Sequence, residues 1–312
     1  MKFAVYGAGA VGGYFGGRLA ESGQDVTFIA RGAQLEALST RGLSIESPEG
    51  DAHLDEIEVS DNPGNVGPVD VVFVAVKAWQ LGEVAERMRP LIGPDTAVVP
   101  LQNGVEAPEV LASVLGRRHV MGGLCRIVSA LVSPGQVRHG GSDPTITFGE
   151  LDNAPSARSD ALLRALNEAR GMSGVRAEDI QVAMWQKFML ICPWSGLGAI
   201  TRAPAGIFRS VPQTRQMLVG ILEEVAAVGR ASGVALAADA VQTMLEVFDS
   251  VPAGATASMQ RDIMDGFPSE LHVQNGAVVR LGRDLGIETP VNEFIFNALL
   301  PMERKARGEL DW

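Results

Sequence analysis

Phe3-Ala4-Val5-Tyr6-Gly7-Ala8-Gly9-Ala10-Val11-Gly12 stands near the start of the 312-residue chain, and Val26-Thr27-Phe28-Ile29-Ala30-Arg31 follows it after one amphipathic segment. The order reads as strand, glycine turn, helix and second strand. Gly7 permits a tight turn out of the strand, Gly9 lets backbone approach a pyrophosphate, and Gly12 lets the helix sit close on the sheet. The G-x-G-x-x-G pattern alone is weak, and its context gives it meaning. An apolar run ends at Tyr6, Val11, Tyr14, Phe15 and Leu19 recur at helical spacing, and Gly23 closes the helix. Gly7, Ala8, Gly9, Ala10, Val11 and Gly12 are therefore the candidate cofactor-binding turn, with a diphosphate set against the amides of a helix N-terminus.

The end of the second strand bears on the cofactor. Folds that take NAD usually place Asp or Glu there, where the carboxylate accepts from the ribose 2′-hydroxyl and repels a 2′-phosphate. This chain has Arg31 instead. A guanidinium pairs with a phosphate in bidentate fashion, so the residue favours NADP(H). The alternative is a solvated arginine at a strand end.

Composition narrows the partners. A formal charge of −11 argues against nucleic acid or an anionic membrane, which require basic surface, but allows an anionic substrate in a local basic pocket. No apolar run approaches the roughly 20 residues that span a bilayer. The N-terminal apolar stretch is broken at Gly12-Gly13, unlike a secretory signal. Cys125 and Cys192 form no C-x-x-C, so reduced thiols in a cytoplasmic protein are expected. His53, His119, His139 and His272 lack ligand spacing, and no metal site is expected.

Strands and helices then alternate. A short helix over 34–38 precedes a hairpin of 42–46 and 53–59 around Pro48-Glu49-Gly50. The β-branched run 70–76 and the run 96–101 read as strands covered on both faces. Lys77-Ala78-Trp79-Gln80 opens a helix to about Met88, and Gln102-Asn103-Gly104 lies just past the later strand. This is an α/β pattern, a Rossmann-type doubly wound sheet, in which ligands collect outside the carboxyl ends of strands; Lys77 and Asn103 stand at such ends. Segments over 120–150, divided by Ser133-Pro134-Gly135 and by 140–144, read as a meander added to the sheet. A helix over 157–169 and a run near Val175 complete a nucleotide-binding domain, 1–178. Helical periodicity then takes over at about 179–192, 212–233, 236–248, 269–285 and 291–306, giving an all-α domain, 179–312. The active site is expected where the two domains meet.

Three polar residues stand in costly surroundings. Lys187 lies in 182–192, a segment apolar on nearly every side, so its ammonium reaches a cleft, a partner or, by snorkelling, the helix edge. Glu270 opens the expected helix 269–285, where the helix dipole alone would suit it. Ser258 reads equally as an N-cap.

Taken together, Gly7 to Gly12 with Arg31, Lys77-Ala78-Trp79-Gln80, Asn103-Gly104, Trp185-Gln186-Lys187, Ser258-Met259-Gln260-Arg261-Asp262 and Glu270 resemble the ketopantoate reductases (2-dehydropantoate 2-reductases), in order and along nearly the whole chain. The resemblance implies reduction of the 2-keto group of ketopantoate to pantoate by NADPH, on the path to pantothenate and coenzyme A. It implies that the glycine turn holds the diphosphate, Arg31 the 2′-phosphate, and Lys77 the adenosine side. By the same resemblance Asn103 lies near the nicotinamide ribose and substrate, Lys187 donates the proton, Ser258 touches the substrate carboxylate, and Glu270 lies near the ribose and Lys187. The chemistry agrees, because a ketone oxygen that becomes an alkoxide needs a nearby cation able to yield a proton.

The chain also departs from the family. Asparagines that the family carries four and eight residues after the lysine are Ile191 and Ser195 here, and a further one, in the loop after that helix, falls at Ala205. Those losses leave a greasier substrate pocket and point to a second reading, a bulkier or less polar 2-keto acid or ketone. Two others are a sugar-acid or acyl-CoA dehydrogenase of the wider β-hydroxyacid dehydrogenase group, and a non-catalytic NADP(H) sensor. Arg31 and the lack of a histidine base near Lys187 count against the acyl-CoA version. A pure sensor has no need of Lys187 and Glu270 together. Both monomers and homodimers occur among the proteins it resembles, and the chain alone leaves the two open.

Overall fold

The computed structural model describes residues 1–141 and 143–312; Ser142, in the expected turn 140–144, lies outside the described residues. The chain forms two compact units, Met1–Gln102 with Glu106–Ile180, and Asn103–Val105 with Gln181–Trp312.

In the first unit the order is β1 (Lys2–Tyr6), α1 (Ala10–Glu21), β2 (Asp25–Ile29), α2 (Gly32–Arg41), β3 (Leu43–Glu46), β4 (Ala52–Leu54), β5 (Glu58–Ser60), β6 (Val69–Val74), α3 (Leu81–Arg87), β7 (Ile92–Pro100) and α4 (Ala107–Leu115). It continues through β8 (Met121–Arg126), β9 (Ser129–Ser133), β10 (Gln136–His139), β11 (Thr145–Glu150), α5 (Ala157–Glu168) and β12 (Ser173–Arg176). The main sheet has the order β5-β2-β1-β6-β7, parallel throughout. Its central strands are apolar along their whole length because both faces are covered; Val71, Val72, Phe73 and Val74 are all buried. The strand order reverses at β1 and β6, which makes the turn after β1 the place where a crevice opens.

Helix α1 is enclosed on two sides, and its glycines make this possible. A Cβ on Gly16 would press on Phe28 and Val5 of the main sheet, whereas one on Gly13 or Gly17 would press on Val137, Leu43 or Ile45 of a second sheet. That second sheet is β4-β3-β10-β9. Arg18, fully buried on the same helix, has its charge met by Glu21 at 2.8 Å and the Gly50 carbonyl at 2.5 Å.

Two expectations for this unit require correction. The segment 53–59 is not one hairpin strand: β4 pairs antiparallel with β3, but the exposed acids Asp55 and Glu56 bend the chain, and β5 lies beside β2 in the main sheet. Nor does 120–150 extend the main sheet as a meander. β8 and β11 form a three-stranded sheet with β12, while β9 and β10 close over α1 beside β3.

The second unit is helical: α6 (Ile180–Thr201), α7 (Ala205–Ser210), α8 (Pro212–Ala231), α9 (Ala240–Ser250), α10 (Ser258–Met264), α11 (Asn275–Leu285) and α12 (Pro290–Ala306). Its core gathers Phe188 and Met189 of α6, Leu222 and Val225 of α8, and Ile295 and Leu299 of α12. Helix α6 runs past the expected end at 192 and through Pro193, which has no N–H to give the Met189 carbonyl. Burial on both sides of the proline holds the helix together, and Arg202 in the left-handed region (φ 54°) ends it. The expected helix 269–285 begins only at Asn275; Glu270 precedes a separate 3₁₀ turn, Leu271–Val273. Among the described residues no helix is long and apolar enough to cross a membrane.

Both cysteines are buried and neither is in a disulfide, and burial pushes the Cys192 thiol well above its ordinary pKa. The folded protein should leave both unlabelled by a chromogenic thiol reagent and yield two reactive thiols after denaturation, read by absorbance.

Candidate functional site

The glycine turn has the geometry that a diphosphate requires. Gly7 adopts φ +102°, and a Cβ there would stand 2.9 Å from the Val76 amide nitrogen. Its own N–H is spent on the Ile29 carbonyl at 3.0 Å, which ties the turn to the end of β2. A Cβ on Gly12 would collide with the Gly7 carbonyl, so the helix start and the turn exclude any larger residue. At Gly9 the opposite holds: nothing lies within 4 Å of where a Cβ would be. Helix α1 begins at Ala10 with no side-chain cap, leaving its first-turn amides directed at that open space. These residues fit a dinucleotide diphosphate.

One further residue shapes the turn, and sequence reasoning passed over it. Gln34 of α2 donates from Nε2 to the Ala8 carbonyl at 2.6 Å and accepts from the Gly135 N–H at 3.0 Å on Oε1. A glutamine three residues into a helix ordinarily turns back to its own cap. Here it braces the glycine turn, a role that only the tertiary fold reveals.

Arg31 is exposed and precedes α2 in extended conformation, beside Gly32, which has nothing within 4 Å of its Cβ position. Its charge reaches Tyr6 at the end of β1, where burial raises the phenol pKa against the opposing pull of Arg87 and Arg31. Lys77 is exposed after β6, its Nζ 5.6 Å from the centre of the Trp79 ring. Gln102, buried just past β7, donates from Nε2 to the Val74 and Val76 carbonyls at 2.8 and 2.9 Å and so fixes the strand end that leads to Lys77.

Asn103, Gly104 and Val105 belong to the second unit. The Asn103 amide donates from Nδ2 to Glu270 Oε2 at 2.8 Å, and Gln274 Nε2 stands 3.4 Å from the same oxygen. Gly104, at φ +100°, passes so near the Val273 carbonyl that a Cβ would come within 2.8 Å of it. Glu270 is 7% exposed, so two amide donors on one carboxylate oxygen replace water that the site excludes.

Lys187 is half-buried on α6, flanked by Trp185 and Phe188, whose rings meet edge to face at 5.6 Å. Because α6 continues through Pro193, Lys187, Ile191 and Ser195 fall on one row of a single helix. Ile191 is half-buried and Ser195 buried. Ala205 is not in a loop: it is the first residue of α7, fully buried, with its N–H on the Ala255 carbonyl at 3.0 Å. Ser258 is exposed as the first residue of α10, and the N-cap position is held by Ala257 instead. Of the site residues read from sequence, the structure thus joins Asn103 to Glu270 and lines up Lys187, Ile191 and Ser195. Ser258 stands on a separate helix.

Comparison with known proteins agrees with this architecture. Residues 3–153 match the family model described as "Ketopantoate reductase PanE/ApbA", and residues 179–303 match its C-terminal model, "Ketopantoate reductase PanE/ApbA C terminal". The chain is 33% identical to the "Uncharacterized oxidoreductase YkpB" of Bacillus subtilis, over 95% of this chain and 97% of that one. It is 28% identical to a 2-dehydropantoate 2-reductase of Nostoc, over 99% of this chain and 98% of that one. The crystal structure of a PanE/ApbA family ketopantoate reductase from Ralstonia eutropha superposes with a TM-score of 0.89 at 31% identity, covering 98% of this chain and all of that one. A glycine turn after the central strand of a parallel sheet and a helical second unit holding the Asn103–Glu270 bond accompany matches over both halves of the chain, and the chain is therefore an oxidoreductase of the ketopantoate reductase family.

Proposed function

We propose that the protein reduces the 2-keto group of ketopantoate to pantoate with NADPH, in the cytoplasm and as a step of pantothenate synthesis. The observation that carries this reading is the 2.8 Å hydrogen bond from Asn103 to Glu270, residues 167 positions apart that the family resemblance assigns to one end of the cofactor. In this reading residues 1–178 hold the cofactor and 179–312 supply the catalytic and substrate groups. The amides of 9–12 take the diphosphate, Arg31 the 2′-phosphate, and Lys77 the adenosine side. NADPH, when bound, supplies the hydride.

The chain's own residues do the rest. Lys187 presents an ammonium to the keto oxygen, opposes the negative charge that develops there, and gives up a proton as the alkoxide forms. Glu270 favours the charged form of Lys187 before transfer and, held by Asn103, stays where that charge is needed. Ser258 receives the substrate carboxylate through its hydroxyl. A second reading, reduction of a less polar 2-keto acid by the same groups, is supported by Ile191. This branched apolar side chain lies one helical turn from Lys187, where an amide would have offered hydrogen bonds to a hydroxylated substrate.

Two outcomes test the proposal. Lys187→Ala is expected to lower kcat for NADPH-dependent ketopantoate reduction by about 10²-fold or more with the Kd for NADPH nearly unchanged; an unaltered kcat removes Lys187 from the chemistry. Arg31→Ala is expected to weaken NADPH by about tenfold in a fluorescence titration while NADH changes by less than about twofold. Equal weakening of both would show that Arg31 does not read the 2′-phosphate.

A further inference from the structure

Side-chain bonds alone do not set where Glu270 points. It belongs to no α-helix, and the bonds that Asn103 and Gln274 make to its carboxylate keep their direction only if the backbone on either side of it is fixed as well. That backbone is gripped by the far end of α12. The Ser269 N–H donates to Glu303 Oε1 and Oε2 at 3.2 and 3.0 Å, and the Ser269 hydroxyl donates to Glu303 Oε2 at 2.5 Å. The same hydroxyl oxygen accepts from the Leu271 N–H at 3.2 Å, bridging across Glu270. Arg307 completes the grip, donating from Nε to Glu303 Oε1 at 2.7 Å and from Nη2 to the Ser269 carbonyl at 3.2 Å.

The cluster is costly to build for packing alone. Glu303 is 1% exposed and Ser269 equally so, and a buried carboxylate is tolerated only when a cation and several donors satisfy it. Three donor groups do so here, two of them on Ser269, the residue next to Glu270, and one on Arg307, just past the end of α12. An apolar contact would close the same core at less risk. What the polar cluster adds is direction, because hydrogen bonds fix angle as well as distance.

We propose that Glu303, Ser269 and Arg307 form a clamp whose role is to position the Glu270 carboxylate for the reaction. Ser269 and Glu303 are positioning residues that act through Glu270. The inference rests on the proposed reductase activity for its kinetic consequence, but the clamp itself can be read without turnover.

Ser269→Ala removes the bridging hydroxyl and Ser269→Thr retains one. In wild-type background Ser269→Ala is expected to lower kcat for keto-acid reduction about tenfold with KM for NADPH within about twofold, and Ser269→Thr to recover most of the loss. In a Glu270→Gln background the same substitution is expected to cost less than about twofold, since the group it positions is already disabled. An equal loss in both backgrounds, or no loss in either, overturns the proposal. Hydrogen exchange read by mass spectrometry over 269–275 supplies the readout that needs no activity: Ser269→Ala should speed exchange there, and unchanged exchange overturns the clamp. If wild-type protein reduces no keto acid yet Ser269→Ala still speeds that exchange, the reductase assignment fails while the clamp stands. Glu303→Gln, which keeps the shape and one acceptor, gives the same readouts if Ser269→Ala does not fold, with the same direction expected and the same results contradicting it.

Discussion

A single hydrogen bond, from the Asn103 amide to the Glu270 carboxylate, organises the second unit's polar site. It requires the chain to leave β7 and place three residues, Asn103–Val105, among helices that are otherwise built from sequence beyond 180. Gly104 makes that route possible by taking a positive φ against the Val273 carbonyl, and Val105 anchors it in the helical core. A buried carboxylate that lost Asn103 would keep only the longer contact to Gln274, and an incompletely satisfied charge of that kind costs several times what the bond itself contributes. The amide and the carboxylate are thus mutually dependent, and each explains why the other tolerates burial.

The first unit depends on a different constraint, the thinness of α1. A Cβ at 12 would collide with the Gly7 carbonyl, and sheets on both sides approach the helix so closely that one at 13, 16 or 17 would force their side chains to shift. Glycine in a helix interior is unfavourable by roughly 1 kcal/mol each relative to alanine, so packing must offset several such terms. It does so through Tyr14, Phe15 and Leu19, which are wholly buried between the sheets. The same close approach fixes the helix N-terminus over the glycine turn, and Gln34 braces that turn from α2. Core packing and anion geometry are here one arrangement.

Much of this was legible in the sequence because local patterns encode it. The run 70–76 and the glycine turn specify buried parallel strands and a tight turn into an uncapped helix start, and the order of motifs from Gly7 to Glu270 identifies the family. What was not legible depended on tertiary context. Pro193 reads as a stop, yet flanking burial carries α6 through it to Thr201, which is what places Ser195 in line with Lys187. Glu270 reads as the start of a long helix because 269–285 is suitably periodic, but the Ser269 backbone beside it is claimed by Glu303 and Arg307, and Glu270 precedes a separate 3₁₀ turn. The hairpin split at Asp55-Glu56, because a parallel partner for β5 lies about thirty residues back in sequence and no local signal announces it. Gln34 and Gln102 carry no motif at all, and only their carbonyl partners disclose what they hold.

The row Lys187, Ile191, Ser195 joins the proposed proton donor to an apolar and a small polar side chain, and in the proposed function it is where one keto acid is told from another. NADPH oxidation by the purified protein, measured side by side with ketopantoate and with a branched apolar 2-keto acid at equal concentration, tests the central claim. Turnover of ketopantoate, with kcat/KM at least equal to that for the apolar acid, is the result this account predicts. Turnover of the apolar acid alone would show that Ile191 has redirected the family's chemistry to another substrate, and no turnover of either would contradict the reductase assignment itself.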